Sequence, residues 1–512
     1  MFVFPWIHGE GPLMTQQLTS LTDLDDFPED PQRAALLERR AAKAVRVIPR
    51  GNRTFTAKER AEQLADQGSF VPFAPSRSRE PGVGAGVLTG WATVNRRPVV
   101  IISHDAAVAA GAIGAVFADA VQDAQRFAID HGYPIVYLND SSGARIHDGI
   151  HALHGCGGIF RLNVKATRRV PQISVILGPC AGAAAYSPAL TDWTIMVREQ
   201  GQMFLTGPDI VKAATGEDAT AEAIGGADMH TATSGVAHLA VDTEAEALEA
   251  TRRILSFTPT YAGGPLPESL PVAANPVAAA NLPYVVPQKS SVGFDMTQVI
   301  AGIVDEDSMF ELMPTRCPSV LTMFARLDGK PVGILANQPN ARGGILDTQT
   351  SVKASRFVDY CGRFGIPVLT FVDVPGFLPG TVEEGRGVIT YGATLLRAYA
   401  EATGPLLTVI VRKAYGGAYI AMGSPSLGAD ACWAWPGSEI AVMGPGGAVA
   451  LLNRRELAAA EDPATLRDAL AAEYREEVAR PWLAAEAGIV DDVILPEETR
   501  DRLVASLRML TA

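Results

Sequence analysis

Lys413-Ala414-Tyr415-Gly416-Gly417-Ala418-Tyr419-Ile420 follows the apolar run Leu406-Leu407-Thr408-Val409-Ile410-Val411. A short β-branched run that breaks at paired glycines and resumes as Ala-Tyr-Ile-Ala-Met predicts a buried strand, a tight turn and a helix N-terminus. Such a turn leaves backbone N–H groups without partners, and glycine lets a ligand come close to them, so the turn suits an oxyanion. Taken alone, Gly-Gly reads more readily as close packing of a helix on a sheet.

The pattern occurs twice. Val170-Pro171-Gln172-Ile173-Ser174-Val175-Ile176-Leu177 leads into Gly178-Pro179-Cys180-Ala181-Gly182-Ala183-Ala184-Ala185-Tyr186. Upstream, Tyr133-Pro134-Ile135-Val136-Tyr137-Leu138 answers Gly365-Ile366-Pro367-Val368-Leu369-Thr370-Phe371. Aligning Pro134 with Pro367 and Gly182 with Gly417 keeps almost one offset over the whole unit. A repeat this long predicts two similar domains. Each Pro-led strand is followed by a second turn, Asn139 to Arg145 in one copy and Asp373 to Gly380 in the other. Adjacent loops at strand ends are where open α/β sheets place ligands.

The chain here resembles the carboxyltransferase β subunit of biotin-dependent acyl-CoA carboxylases, such as propionyl-CoA and acetyl-CoA carboxylase. The resemblance runs from about Asp30 to the C-terminus. Its most specific parts are Asp140-Ser141-Ser142-Gly143-Ala144-Arg145-Ile146, Tyr186-Ser187-Pro188-Ala189-Leu190-Thr191-Asp192, Phe371 to Thr381 and Lys413 to Ala418. It implies an α/β fold of two tandem crotonase-like domains related by internal duplication. The expected layout is a mobile tail over 1–30, an acyl-CoA-side domain over 31–257, a Pro/Ala-rich linker over 258–291 and a biotin-side domain over 292–512.

Carboxyl transfer from carboxybiotin to an acyl thioester builds negative charge on the thioester oxygen and on the biotin ureido oxygen, and backbone N–H groups can hold both. By resemblance Gly182 and Ala183 serve the thioester oxygen, and Gly417 and Ala418 the biotin oxygen. Ser142, Gly143, Ala144, Tyr186, Gly376, Phe377 and Gly416 are the implied substrate contacts. Ile420 reads equally as acyl-pocket lining or as core. The implied partners are an acyl-CoA, a biotin carboxylase and biotin carrier (α) subunit, and further copies of the chain in a homohexamer, a trimer of dimers. Biotin belongs to the separate carrier, because the chain has no Met-Lys-Met site, and no metal is expected. Three segments depart from the family pattern. Ser142 and Ala183 stand where glycine is usual, adding side chains close to the ligand, and 104–114 lacks the Phe-Gly-Gly-Ser character.

Composition agrees with an enzyme of this size. The 512 residues are 47% hydrophobic and carry a net charge of −13, enough for more than one core and unsuited to nucleic acid or anionic membrane. Five scattered cysteines without a Cys-x-x-Cys predict a reducing compartment and no zinc ribbon. No run is long enough to span a membrane and no basic flank marks a signal peptide, so the expected location is the cytoplasm, with Met14 a plausible alternative start to Met1. The basic segment Arg39 to Arg60 reads either as a solvated helical face or as a contact for the phosphates of coenzyme A.

Other features read blandly. His147, His151 and His154 have the spacing of one helix face without an acidic partner, so a polar face is expected rather than a metal site. Cys180 beside the first turn reads as packing. The Gly-rich stretch after Ile440 reads as domain packing rather than nucleotide binding. Two rival functions stay open: a decarboxylase or transcarboxylase of malonyl-type thioesters, and a non-catalytic assembly paralogue.

Overall fold

The computed structural model describes residues 54–73 and 85–511. The expected tail over 1–30 and the arm up to residue 53, including Arg39, lie outside the described residues. Among the described residues the chain forms two sheets of eight strands each.

The first sheet holds β1 (Val71–Pro72), β2 (Val87–Val94), β3 (Arg97–His104), β4 (Ile135–Ser141), β5 (Gln172–Ala181), β6 (Trp193–Val197), β7 (Gln202–Phe204) and β8 (Leu239–Val241). The second holds β9 (Phe310–Leu312), β10 (Val320–Leu327), β11 (Lys330–Asn337), β12 (Val368–Val374), β13 (Leu406–Tyr415), β14 (Ala431–Ala434), β15 (Glu439–Ala441) and β16 (Asp492–Val493). The orders are 1-2-3-4-5-6-8 and 9-10-11-12-13-14-16, with β7 paired to β5 and β15 to β13. The expected repeat is therefore present strand for strand.

Register agrees as well. The first hairpin pairs Val94 with Arg97, and the second pairs Leu327 with Lys330. From β3 onward both sheets run parallel, β3 to β4 to β5 and β11 to β12 to β13. Strands β4, β5, β12 and β13 are buried almost end to end, as expected of parallel strands covered on both faces.

The helices that bear on the site and the joint are α1 (Ala57–Leu64), α2 (Ala115–His131), α3 (Ile150–Ala166), α4 (Glu244–Phe257), α5 (Pro276–Val285), α6 (Thr348–Arg363), α7 (Val388–Ala400), α8 (Gly416–Ala421) and α9 (Thr499–Leu510), with further helices between them, among them Pro208–Thr215, Pro445–Leu452 and Pro463–Tyr474. Helix α1 starts from a capping box, Thr56 with Glu59. Helix α5 lies within 258–291, the stretch expected to be a linker. Asn275 caps it through the N–H groups of Val277 and Ala278, Pro276 opens it, and Leu282 is buried with the apolar side chains of the second sheet. Within this stretch the helix is anchored to the second sheet by Leu282, while Val277 and Tyr284 stay exposed. No described helix is long and apolar enough to cross a membrane.

One hydrophobic cluster joins both copies. Trp193 of β6 meets Tyr360 of α6 with ring centroids 4.7 Å apart, and Phe257 of α4 stacks on Phe324 of β10 at 5.5 Å. Arg363 pairs with Asp192 across the same joint at 2.9 Å.

Candidate active site

Both Gly turns begin where a parallel strand leaves its neighbour. The β4–β5 ladder shifts register between Asn139 and Ser141, and the β12–β13 ladder shifts between Val372 and Val374. Beyond the shift, the end of β5 pairs with β7 and the end of β13 with β15. The chain then turns at Gly182 with φ +55° and at Gly416 with φ +60°, a left-handed backbone that costs glycine little. Gly182–Ala185 forms a single tight turn, and Gly416 opens α8.

The structural equivalents are therefore Gly182 with Gly416, Ala183 with Gly417 and Ala184 with Ala418. This is one residue off the alignment of Gly182 with Gly417, because a Gly-Gly pair leaves the frame ambiguous in sequence while positive φ does not. As the first residues of α8, Gly416, Gly417 and Ala418 carry N–H groups with no acceptor inside the helix. A Cβ built on Gly417 would meet nothing within 4 Å, and one on Gly182 only the Leu205 carbonyl oxygen at 3.7 Å. Packing does not require glycine at these two positions: positive φ favours it at Gly182, and at both the space where a side chain would stand is open.

The second loop of each copy leans on its turn. A Cβ on Gly143 would stand 2.7 Å from the Ala181 carbonyl oxygen, so the loop lies against the strand end. Matching bridges, Ile113 to Ala144 and Leu346 to Phe377, tie the two loops to the segments before α2 and α6. The N–H of Ser142 donates to the Ala110 carbonyl at 3.0 Å, and that of Gly143 to Ser141 Oγ at 3.2 Å. These two N–H groups shape the loop and are already committed within the chain.

The remaining predicted residues fall around the turns. Tyr186 is 50% exposed just after the first turn, with its ring 5.9 Å from Phe160. Ile420 is 43% exposed on α8, which places it at the surface of the turn rather than in the core. Phe377 is half-buried and packs over Gly392 of α7, and Ala418 is buried. Ser142 is exposed. Ala183 lies outside the positive-φ region and packs against the apolar cluster of the first sheet, so replacing glycine there costs the backbone nothing.

Two expectations are changed, and a third, Cys180 as packing, agrees with the structure. Arg60, the end of the basic segment, is 1% exposed and bound to Asp140 and Glu244, so it is unavailable to a phosphate. His147 is separated from His151 and His154 by Gly149 at φ +52°, and α3 begins only at Ile150, so the three do not share one helix. Cys180 is buried beneath the first turn, where burial and then the nearby Asp140 push its thiol up, making it packing and not a nucleophile.

A cavity of about 950 Å³ lies beside the second turn, between Gln288–Ser291, Pro436–Glu439 and the segment from Arg475 to Trp482. Tyr415, the residue before Gly416, reaches its wall by donating its phenolic O–H to Glu439, which pairs with Arg475 at 2.8 Å. Sequence reasoning missed this anchor, along with the pairing of Arg412 with Asp373 at 2.8 Å. The adjacent Arg412-Lys413 immediately before the turn was the available signal.

A family model for the carboxyl transferase domain matches residues 46–512. The chain belongs to the carboxyl transferase family. It is a β-type carboxyltransferase subunit, built of two tandem crotonase-like domains. It is 49% identical over 465 residues to the carboxyltransferase subunit of propionyl-CoA carboxylase from Haloferax mediterranei, covering 89% of this chain and 90% of that one. It is 45% identical over 472 residues to the methylmalonyl-CoA decarboxylase α subunit of Veillonella parvula, covering 90% of each. Among solved structures it is similar to the transcarboxylase 12S hexamer with methylmalonyl-coenzyme A and methylmalonic acid bound. There the TM-score is 0.88, at 39% identity and 97% coverage of both chains.

Proposed function

We propose that the chain transfers a carboxyl group from carboxybiotin, carried by a separate protein, to the α-carbon of a short acyl-CoA. The observation that carries this reading is the pair of equivalent turns opened by Gly182 and Gly416 at positive φ, with open space where side chains would stand at Gly182 and Gly417. The first turn, with Gly182 and Ala183, takes the thioester oxygen; the second, with Gly417 and Ala418, takes the ureido oxygen of biotin.

A bound carboxybiotin would supply the carboxyl group and the base for the α-proton of the acyl-CoA. Gly417 and Ala418 would hold its ureido oxygen as negative charge gathers there, and Gly182 and Ala183 would hold the thioester oxygen while the α-carbon takes up the carboxyl group. Each oxyanion donor contributes about 3–4 kcal/mol of barrier lowering in comparable sites. Tyr186 and the loops around Gly143 and Gly376 frame the substrates, and Ile420 offers an apolar surface to the acyl chain. Propionyl-CoA is the first substrate to try, since the relatives named above are propionyl-CoA carboxylase and methylmalonyl-CoA enzymes. Assembly as a hexamer, and a biotin carboxylase and carrier subunit as partner, follow from the same kinship.

The test is carboxylation of acetyl-, propionyl- and butyryl-CoA by the purified chain with a biotinylated α subunit, ATP and bicarbonate. Turnover is expected, fastest with propionyl-CoA. Absence of turnover with all three, in an assembled complex, refutes the carboxylase reading. A rapid loss of carboxyl from methylmalonyl-CoA to a biotin carrier without net carboxylation would establish the decarboxylase direction instead.

A further inference from the structure

In both copies the ladder loses register at a buried aspartate, Asp140 on β4 and Asp373 on β12, each at most 1% exposed. A buried carboxylate needs a partner of opposite charge and filled hydrogen bonds. In the second copy the partner comes from the strand itself. Asp373 accepts from Arg412 Nη2 at 2.8 Å and from the Lys413 backbone N–H at 2.9 Å. Arg412 lies just upstream of Gly416 and also donates to the carbonyls of Lys289 and Val292, at 3.1 and 2.8 Å. The strand end that carries the turn is thereby pinned to its neighbours.

The first copy cannot use that arrangement. The residue aligned with Arg412 is Gly178, and the one aligned with Lys413 is Pro179, which has no N–H to give. A Cβ at Gly178 would lie 2.2 Å from Asp140 Oδ1, so no side chain can stand there. The cation comes instead from α1, outside the sheet. Arg60 Nη1 meets Asp140 Oδ2 at 3.1 Å, and Arg60 Nη2 donates to the Leu177 carbonyl at 3.2 Å, so one guanidinium bridges β4 and β5 at the register shift. Its other edge is held by Glu244 at the start of α4, with Nε and Nη2 at 2.9 and 2.8 Å. Gln200 closes the set by donating to the Leu177 carbonyl at 2.7 Å and to Glu244.

We propose that Arg60 is a positioning residue for the first turn, supplying from the N-terminal helix the charge and strand-bridging contacts that Arg412 supplies to the second turn from within its own strand. The inference rests on the assignment of the first turn to the acyl thioester. It makes the two halves of the site separately addressable: Arg60 governs acyl-CoA, and Arg412 governs biotin.

The experiment is hydrogen exchange on the full-length, assembled protein, followed in peptides over 172–185 and 406–421, which hold each turn with the strand end that carries it, with propionyl-CoA binding measured by calorimetry on the same samples. Arg60→Met is expected to speed exchange of the first turn by about tenfold or more and weaken propionyl-CoA by a similar factor, leaving the second turn within about twofold. Arg412→Met is expected to show the reverse pattern in exchange, with propionyl-CoA affinity kept. Arg60→Lys, which keeps the charge and loses the fork, is expected to fall between, and it carries the test should Arg60→Met fail to fold. Equal exchange at both turns in the Arg60 variants, or unchanged exchange and unchanged propionyl-CoA affinity, overturns the proposal. Because exchange needs no substrate, a wild-type protein that fails to bind propionyl-CoA counts against the functional reading, whereas symmetric exchange counts against Arg60.

Discussion

The backbone N–H of Asp140 donates to Nδ1 of His104 at 3.3 Å, and that of Asp373 donates to Oδ1 of Asn337 at 3.2 Å. The two residues occupy equivalent places and accept the same bond, but only His104 can be protonated away from it. Burial lowers its pKa to about 4. Between roughly pH 6.5 and 4 the unfolded chain takes up a proton that the folded chain refuses, so stability falls as the pH falls through that window, by on the order of 3 kcal/mol in all. His104→Asn, copying the other half of the molecule, should remove this part of the acid loss when urea unfolding is compared at pH 7 and pH 4.5. An unchanged pH slope would show that His104 does not titrate as described. The sequence made the turn residues readable, since Gly182, Gly416 and Gly417 stand in quotable motifs. It hid Arg60, whose partners Asp140 and Glu244 are distant in the chain and outside any local pattern. The concern raised by Ala183 also needed the backbone: only Gly182 carries positive φ.

At the scale of the element, the segments before α2 and α6 both make a left-handed turn that passes beneath the loop of each site. In the second copy it is Arg342-Gly343-Gly344, with φ of 50°, 69° and 77°. In the first it is Ala109-Ala110-Gly111, with φ of 48°, 53° and 67°. Ala110 thus holds the place of Gly343 in a conformation costing a side chain about 1–2 kcal/mol. Its carbonyl accepts the Ser142 N–H, so the strain sits directly under the thioester-side loop. Ala110→Gly should raise stability by about 0.5–1 kcal/mol after the greater unfolded-state freedom of glycine is counted, measurable as a shift of the urea midpoint. This is the segment whose departure from Phe-Gly-Gly-Ser was visible in sequence. Strand order was legible because parallel buried strands read as apolar runs bounded by Pro and Gly, whereas α5 was not, since Pro, Ala and Val without charge resemble a linker until Leu282 is seen in the core.

At the scale of the whole molecule, the two copies share a joint in which Trp193, Phe324, Phe357 and Tyr360 meet and the Asp192–Arg363 pair is almost fully enclosed. Burial raises the pKa of Asp192, and Arg363 opposes that shift. Arg363→Met leaves a buried carboxylate without its directly paired cation, Arg356 remaining farther off, and should cost about 3 kcal/mol at neutral pH, less in acid where Asp192 takes a proton. Duplication is what sequence shows most clearly at this scale, while the joint depends on contacts between side chains from opposite copies. The central claim is that each copy contributes one oxyanion turn to a single carboxyl transfer. The most direct measurement is the turnover of propionyl-CoA carboxylation by Gly417→Pro, set against Gly417→Ala and wild type, with propionyl-CoA binding followed in parallel. Open space around Gly417 leaves room for both substitutions, and only proline removes the N–H. A loss of about 10²–10³ in kcat for Gly417→Pro, with Gly417→Ala close to wild type and acyl-CoA affinity kept in both, is the predicted result. Full activity in Gly417→Pro, or equal losses in both variants, would contradict a backbone oxyanion site at the second turn.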